Sequence, residues 1–352
     1  MKGLCSEIPS ATNPEKERQM SKMETFTPFM GSLDGLTAIG EAKGKTYVTP
    51  ALKSLGSVVI PVVREVIAPA SFRNEQQEVT DIDVMGTRRV RAVANKFKFG
   101  ERQRGLQVLR LFGAGGTCAQ NKTDLKKGQS AGSAFDLNTV VFGDSTDAGG
   151  KVLPVKAAAL YSDAISLAPY RDCVDETFHN RAAEDGTLFD AEIGANSNNI
   201  FSRHFVKPGT LLVQTIVLNG RTAPLDALDH LLLCIGLAGA YGGQTSISGI
   251  NVRTHIAGIH AGPFEQDIAS PYILADAISG ADNSDPLAVR DAIEVLYADR
   301  YAVSLPHREV EARRDDLIAG VTANDDSLRA RYIDTSAKVS AFFDAWFDGI
   351  RG

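Results

Sequence analysis

Residues 210–260 read TLLVQTIVL, NGRTAP, LDALDHLLLCIGLAGA, YGGQTSISG and INVRTHIAGIH in succession, and this stretch decides the fold. Residues 210–218 are almost unbroken apolar and β-branched, the pattern of a buried strand. Thr222 and Pro224 predict a helix start, as an N-cap and an early-turn proline. Leu225, Leu228, Leu231, Leu232 and Ile235 recur at helical spacing and give that helix an apolar face. Gly242-Gly243 predicts its end. Residues 250–260 return to strand character. The whole is a β-α-β unit with a glycine loop between the helix and its second strand.

Upstream, GSVVIPVVREVI at 56–67 predicts a second buried strand, with Pro61 marking an edge or a bulge. Residues 68–87 are polar and turn-like. From Glu101 a helical rhythm begins, with Leu106, Leu109 and Phe112 on one face. Residues 113–151 are rich in Gly, Ser, Thr and Asp and predict a mobile excursion without a core of its own. A strand-like piece covers 152–167. Residues 179–208 read as a long hairpin or protruding arm, turning at Glu184-Asp185-Gly186 and Ala195-Asn196-Ser197. Residues 1–25 are a loose polar tail. Beyond 262 the chain is mainly helical: Asp285-Pro286 opens one helix. Another at 325–350 is amphipathic through Leu328, Tyr332, Val339, Phe342, Phe343 and Trp346.

The chain has 352 residues, 43% of them hydrophobic, which is ample for a packed core. With 37 Lys+Arg against 43 Asp+Glu its formal charge is −6, so a uniformly basic coat is excluded while a local basic groove is not. From Pro263 onward there are 17 acidic and 9 basic residues, a poor surface for a polyanion. No apolar run approaches the roughly 18 residues of a membrane span, and the N-terminal stretch lacks a signal-peptide core. Cys5, Cys118, Cys173 and Cys234 stand far apart, so neither a C-x-x-C knuckle nor a disulfide framework is expected, and a cytoplasmic setting fits.

Two stretches imitate a P-loop. Gly40 to Thr46 has three residues between its glycines where four are needed. Gly143 to Lys151 has six. Loop length decides whether successive amides converge on a phosphate, so flexible glycine turns are the better reading of both. His179, His204, His230, His255, His260 and His307 offer no helical pair at metal-ligand spacing. No G-x-S-x-G serine signature is present. No cofactor or metal is expected.

Arg88, Arg89, Arg91, Lys96, Lys98, Arg102 and Arg104 lie within 17 residues, opposed only by Glu101, with Phe97 and Phe99 interleaved. Basic side chains neutralise phosphates and aromatic faces stack on bases. A solvated helix face with two core phenylalanines is the competing reading. Gly242, Gly243, Gln244, Thr245 and Ser246 supply close backbone approach and neutral hydrogen bonds, suited either to a sugar-phosphate backbone or to a helix cap and long turn.

The order of these blocks resembles the RAMP superfamily. GERQRGLQVLRLFG at 100–113 resembles its basic-Gly, Arg and Phe-Gly stretch. Phe142-Gly143-Asp144-Ser145 and Tyr161-Ser162-Asp163-Ala164 resemble its next pair of blocks. Lys207-Pro208-Gly209-Thr210 resembles its strand entry, and Tyr241-Gly242-Gly243-Gln244-Thr245 its glycine-rich loop. The likeness runs from about residue 56 to 262. Within the superfamily it is closest to the backbone subunit of class 1 CRISPR effector complexes of types IV and I-D.

The resemblance implies an α+β fold with an RRM-like (ferredoxin-like) β-sheet palm over 26–262. A finger insertion is expected near 113–151 and a thumb hairpin near 179–207, with a helical part at 263–352 packed on the palm. It implies a non-catalytic, crRNA-binding protein whose copies line up as a helical filament along the spacer, in a Cascade-like ribonucleoprotein of antiviral defence. Its partners would be CRISPR guide RNA, target nucleic acid paired to that guide, further copies of itself and other effector subunits, with no membrane. The seven cations, the glycine-loop residues, and Asn180 and Arg181 at the thumb base would contact RNA. Type I-D relatives carry a finger cysteine cluster suited to zinc. Here only Cys118 falls in that region, which tips the balance toward type IV. Some type III relatives cleave target RNA with a loop aspartate, and Asp81 and Asp83 occupy the matching loop.

Overall fold

The computed structural model describes residues 22–33, 36–42, 45–50, 56–73, 78–115, 125, 129–147, 152–180, 189–190, 194–196, 200–219, 223–242 and 249–351. Strands β1 (Leu36–Ala42) and β2 (Lys45–Pro50) form a hairpin, followed by β3 (Ser57–Val66), β4 (Asp81–Val84) and β5 (Thr87–Ala92). Helices α1 (Asn95–Phe112) and α2 (Leu137–Phe142) precede β6 (Asp144–Asp147), β7 (Val152–Val155), β8 (Ala159–Tyr161) and β9 (Ala164–Pro169). Next come α3 (Tyr170–Cys173), β10 (Val174–Asn180), β11 (Phe189–Asp190), β12 (Ala195–Asn196), β13 (Ile200–Val206) and β14 (Leu211–Asn219). The chain continues through α4 (Leu225–Leu237), β15 (Val252–Ile256), β16 (Ile259–Gly262), α5 (Pro271–Ala277), α6 (Pro286–Ala298), β17 (Val303–Leu305), α7 (His307–Thr322) and α8 (Asp326–Arg351).

The main sheet is antiparallel in the order β17-β16-β3-β14-β9-β5-β4, with β15 also on β3 and β8 also on β14. Strands β14 and β15 flank β3 and both run against it, so β14-α4-β15 is the crossover unit expected from residues 210–260. Strand β3 is apolar from Val58 to Val63 because both its faces are covered there. Val58, Ile60 and Val62 join a core with Val108, Leu109, Phe112, Leu228 and Leu231 under α1 and α4. Val59 and Val63 join Leu274, Val289, Ile293 and Tyr297 from α5 and α6 on the other face. Pro61 is therefore in a central strand, not an edge. It sits where β15 stops at Val62 and β16 resumes at Val59, and the Ala257 N–H donates to its carbonyl at 2.9 Å. Proline's missing N–H is best tolerated at such a break.

Several sequence expectations change. Residues 250–260 form two strands, broken at Ala257-Gly258. Thr222 lies outside the described residues, and Pro224 occupies the N-cap position without a side-chain cap. The helix ends at Leu237, earlier than its glycines suggested, because the Gly239 carbonyl accepts the N–H groups of Asn251 (2.8 Å) and Val252 (3.1 Å). The piece at 152–167 is three short strands. Ser162 and Asp163 interrupt it, their side chains accepting the N–H groups of Thr215 (2.9 Å) and Ala94 (3.2 Å). Helix α1 begins at Asn95, six residues before the rhythm at Glu101.

The excursion at 113–151 is not wholly outside the body. Ala131, Ala134, Phe135, Leu137, Val140, Val141 and Phe142 are buried in the main core, Phe135 lying 5.1 Å from Phe343. Gly132 permits this, since a Cβ there would stand 1.9 Å from the Ser340 carbonyl oxygen. The arm is a two-stranded ribbon, β10 against β13, that starts at Val174. Ala195 and Asn196 are strand residues paired with Asp190 and Phe189, so the turn precedes them, with Gly194 at φ +65°. The C-terminal part adds β17 to the sheet as well as helices.

Candidate nucleic-acid interface

Beneath α1 lies a buried polar hub that the sequence reading did not find. Arg64, on the α1-facing side of β3, and Glu101, on α1, are both fully buried and form an ion pair at 2.8 Å. Arg64 also donates to Gln214 Oε1 (3.0 Å), Thr254 Oγ1 (2.7 Å) and the Tyr241 hydroxyl (3.3 Å). Its guanidinium carbon sits 4.6 Å from the Phe97 ring centroid. Burial opposes the Arg64 charge but Glu101 outweighs it, leaving the guanidinium above its ordinary pKa. The Tyr241 hydroxyl donates to Glu101 Oε1 at 2.9 Å, and Tyr161 donates to Oε2. Burial, then the Glu101 charge, push the Tyr241 phenol up, so it remains a donor. The available signal was Arg64 itself, a charge that falls on the buried face of an otherwise apolar strand.

The hub fixes α1 to the segment that enters the glycine loop. Gly100 lets the two meet: a Cβ there would stand 3.3 Å from the Tyr241 ring and 3.4 Å from the Ala240 carbonyl oxygen. Asn251 clasps Tyr241 from the loop's far end, accepting its N–H and donating to its carbonyl, both at 2.9 Å. Gly242 has φ +89°, and a Cβ there would lie 2.8 Å from the Ser71 carbonyl oxygen. Gly243, Gln244, Thr245 and Ser246 lie outside the described residues, as does Arg181. Asn180 closes β10 opposite Ile200.

Four of the seven cations are engaged by groups from other parts of the fold. Arg88 pairs with Asp81 and stacks 4.5 Å over the Tyr170 ring. Arg89 donates to the carbonyl oxygens of Ser166 (2.9 Å) and Leu167, across the sheet. Arg91 pairs with Asp163 at 2.6 Å, and Tyr272 of α5 donates to the same carboxylate at 3.1 Å. Arg102 pairs with Asp144 at 2.6 Å. The acids Asp81, Asp144 and Asp163 come from other elements, which is why Glu101 looked like the sole opponent in sequence. Arg104 donates to the neutral Gln107 side chain at 2.8 Å. Lys96 and Lys98 have no ion pair among the described residues. Phe97 is fully buried and cannot stack on a base, whereas Phe99 is 61% exposed.

The rival chemistries find little footing. Asp81 and Asp83 are on β4 rather than a loop; Asp81 is held by Arg88, and Asp83 accepts the Gly86 N–H at 2.9 Å in the following turn. Lys45 and Thr46 are on β2, where a P-loop would require a helix N-terminus. Among the described residues no three His, Cys, Asp or Glu side chains are grouped to hold a metal, and no helix is long and apolar enough to cross a membrane. Cys173 and Cys234 are free and buried, and Cys118 lies outside the described residues.

The Csc2 Crispr family model matches residues 75–299. The crystal structure of Thermofilum pendens Csc2 is similar at 15% identity, over 93% of this chain and 96% of that one, with a TM-score of 0.61, which shows a shared fold. A chain of a CRISPR RNA-guided surveillance complex in a pre-nicking state is similar at 12% identity, over 58% of this chain and 75% of that one, with a TM-score of 0.39. A further chain of a CRISPR RNA-guided surveillance complex has 12% identity, 57% and 68% coverage and a TM-score of 0.36. No curated protein matches the chain.

Proposed function

The chain belongs to the Csc2 Crispr family, and on that premise we propose that it is the guide-RNA-binding backbone subunit of a class 1 CRISPR effector complex. Of the two forms that the sequence resembled, this family favours type I-D over type IV. In this reading the palm is RRM-like: β3, α1, β9, β14, α4 and β15 follow one another as β-α-β-β-α-β, and the strands lie in the order β15-β3-β14-β9. The β10–β13 ribbon is the thumb, and the polar parts of 113–151 are the fingers. Copies line up along the spacer, leave its bases free to pair with target, and meet the other effector subunits. The function is non-catalytic, because Asp81 and Asp83 already serve Arg88 and the β4–β5 turn.

The observation that carries this is the family match itself. The surface of α1 supports it, since Lys96, Lys98 and Arg104 keep their charge uncancelled by any described acid in a chain of net −6, on a helix that meets the entry of the glycine loop at Gly100. Such a protein grips RNA by phosphate and shape and leaves sequence reading to base pairing. The test is purification from cells expressing a CRISPR transcript, with the absorbance ratio and sequencing of co-purified RNA. Guide-length RNA of repeat-spacer sequence is expected. A nucleic-acid-free protein that stays monomeric with the cognate transcript overturns the reading. Labelled target RNA incubated with the assembled complex and magnesium is expected to stay intact.

A further inference from the structure

The most exposed large apolar side chain among the described residues is Met85, at 71%. It stands in the turn that joins β4 to β5, with φ +51°, and Gly86 follows at φ +79°. A left-handed backbone under an exposed apolar side chain is unfavourable twice over, and asparagine would relieve both costs. A residue that breaks the local rule without a gain in its own fold points to a use outside that fold. A methionine arm is unbranched and adapts to an irregular apolar hollow. Residues 81–88 carry two aspartates and one arginine, and Arg88 pairs with Asp81. Asp83 is exposed, its carboxylate accepting the Gly86 N–H at 2.9 Å. The tip is thus left with one negative charge, which repels a phosphate strand and suits a protein surface with a cation at its rim.

A groove of this kind lies on the far side of the molecule. It has a volume of about 520 Å³ and is lined by Pro28, Met30, Leu33, Pro224 and Leu225, with Lys338 of α8 beside them. The Lys338 side chain is 58% exposed, and its pair with Asp334 at 2.8 Å is a surface contact of little strength. The 3-10 turn at Glu24–Phe29, from which the groove starts, packs on β3 and β16. From β16 to β4 the order β16-β3-β14-β9-β5-β4 spans five strand spacings, about 24 Å. A tip therefore cannot reach the groove of its own chain. We propose that Met85 seats in this groove on a second copy of the chain, with Asp83 facing that copy's Lys338. Tip and groove are different surfaces at opposite sides of the sheet, so the contact is heterologous and each copy offers both halves of it to its neighbours. A row built this way grows head to tail. The proposal rests on the reading of copies lined up along a guide and assigns one contact between them.

The test titrates the full chain onto two labelled RNAs, a short one that holds a single copy and a long one that holds several. The parent protein should fill the long RNA cooperatively. Burying one methionine side chain is worth about 10- to 100-fold in an association constant. Met85→Asn is therefore expected to lower the cooperativity by about 10-fold or more, to keep the parental affinity for the short RNA and to melt higher than the parent. Asp83→Lys and Lys338→Glu should each weaken the cooperativity. Both reversals in one chain should restore it, since every junction then regains an opposite pair. Parental cooperativity in Met85→Asn, or a double reversal no better than its singles, overturns the contact and leaves the guide-RNA reading standing. So does a parent protein that binds both RNAs without cooperativity. A parent that binds neither RNA and sediments as a monomer at high concentration overturns both. If it associates without RNA, Met85→Asn must break that association, and an unchanged sedimentation profile overturns the contact.

Discussion

Replacing Glu101 by glutamine removes one negative charge from the hub and leaves Arg64 fully buried without a counter-ion. Breaking a buried pair from one side costs about 3–5 kcal/mol. The glutamine amide still offers one acceptor oxygen to three former donors, so about 3 kcal/mol is the expected loss. Arg64→Met should cost a similar amount, since it strands Glu101 and deprives Gln214 and Thr254 of their donor. The double variant Arg64→Met/Glu101→Leu removes both charges together. Apolar replacement of a whole buried pair is often near neutral, but the hydroxyls of Tyr161, Tyr241 and Thr254 remain and cost about 1–3 kcal/mol in all. The singles should therefore sum to about 6 kcal/mol against about 2 kcal/mol for the double, a coupling of about 4 kcal/mol. Urea unfolding of the four proteins, followed by circular dichroism and by fluorescence with coincident transitions, measures it. A Glu101→Gln loss under about 1 kcal/mol, or a double variant equal to the sum of its singles, would refute the hub as an electrostatic unit.

His230 is fully buried between α1, α2 and α8, with Nε2 3.1 Å from Asn138 Oδ1 and Nδ1 3.1 Å from the Tyr332 hydroxyl. Asn138 spends its amide N–H on the Arg102 carbonyl, so His230 Nε2 donates to Oδ1 and Nδ1 accepts from Tyr332. Burial lowers the His230 pKa to about 3, so the unfolded chain binds a proton that the folded one refuses. Its contribution is complete above about pH 6.5 and is lost as pH falls, reaching about 2 kcal/mol at pH 5. His260, lowered by burial too, acts in the same direction. His230→Gln should flatten the stability profile between pH 4 and 6, and an unchanged slope would count against the assignment. Gly105→Ala would place a Cβ 2.1 Å from Asn138 Oδ1 and 2.8 Å from His230 Nε2, and should cost at least about 1–3 kcal/mol in urea unfolding. Met85 and Gly86 join β4 to β5 with φ of 51° and 79°, a turn that prefers Asn-Gly, so Met85→Asn should stabilise by about 1 kcal/mol and raise the melting temperature.

The parts of the fold legible in the sequence are those fixed by local periodicity. The β14-α4-β15 unit, strand β3, and helices α6 and α8 announce themselves through strand runs, apolar stripes and the Asp285-Pro286 start, where Asp285 does accept the Leu287 N–H at 2.8 Å. What failed depends on distant partners. Gly239 ends α4 only because Asn251 and Val252 capture its carbonyl. The apolar residues of 131–142 were masked by the polar residues on either side, and their burial depends on α8, some two hundred residues away.

The same distinction governs the site. Charge density along a sequence counts neighbours on the chain, whereas phosphate affinity depends on charge left over after the fold has paired what it can. Arg88, Arg91 and Arg102 each meet an aspartate from another element, and Arg89 is used across the sheet. Arg91 in particular ties β5 to α5 through Asp163 and Tyr272, so its removal should loosen the C-terminal part before it touches RNA affinity. In the guide-RNA reading, the cations this accounting leaves for a ribose-phosphate strand are Lys96, Lys98 and Arg104. They sit on a helix whose attitude is set by Arg64 and Glu101. In that reading the hub lies upstream of the interface in the causal order: a helix freed from the sheet would carry the same charges but would no longer be held against the entry of the glycine loop, where Gly100 meets Tyr241.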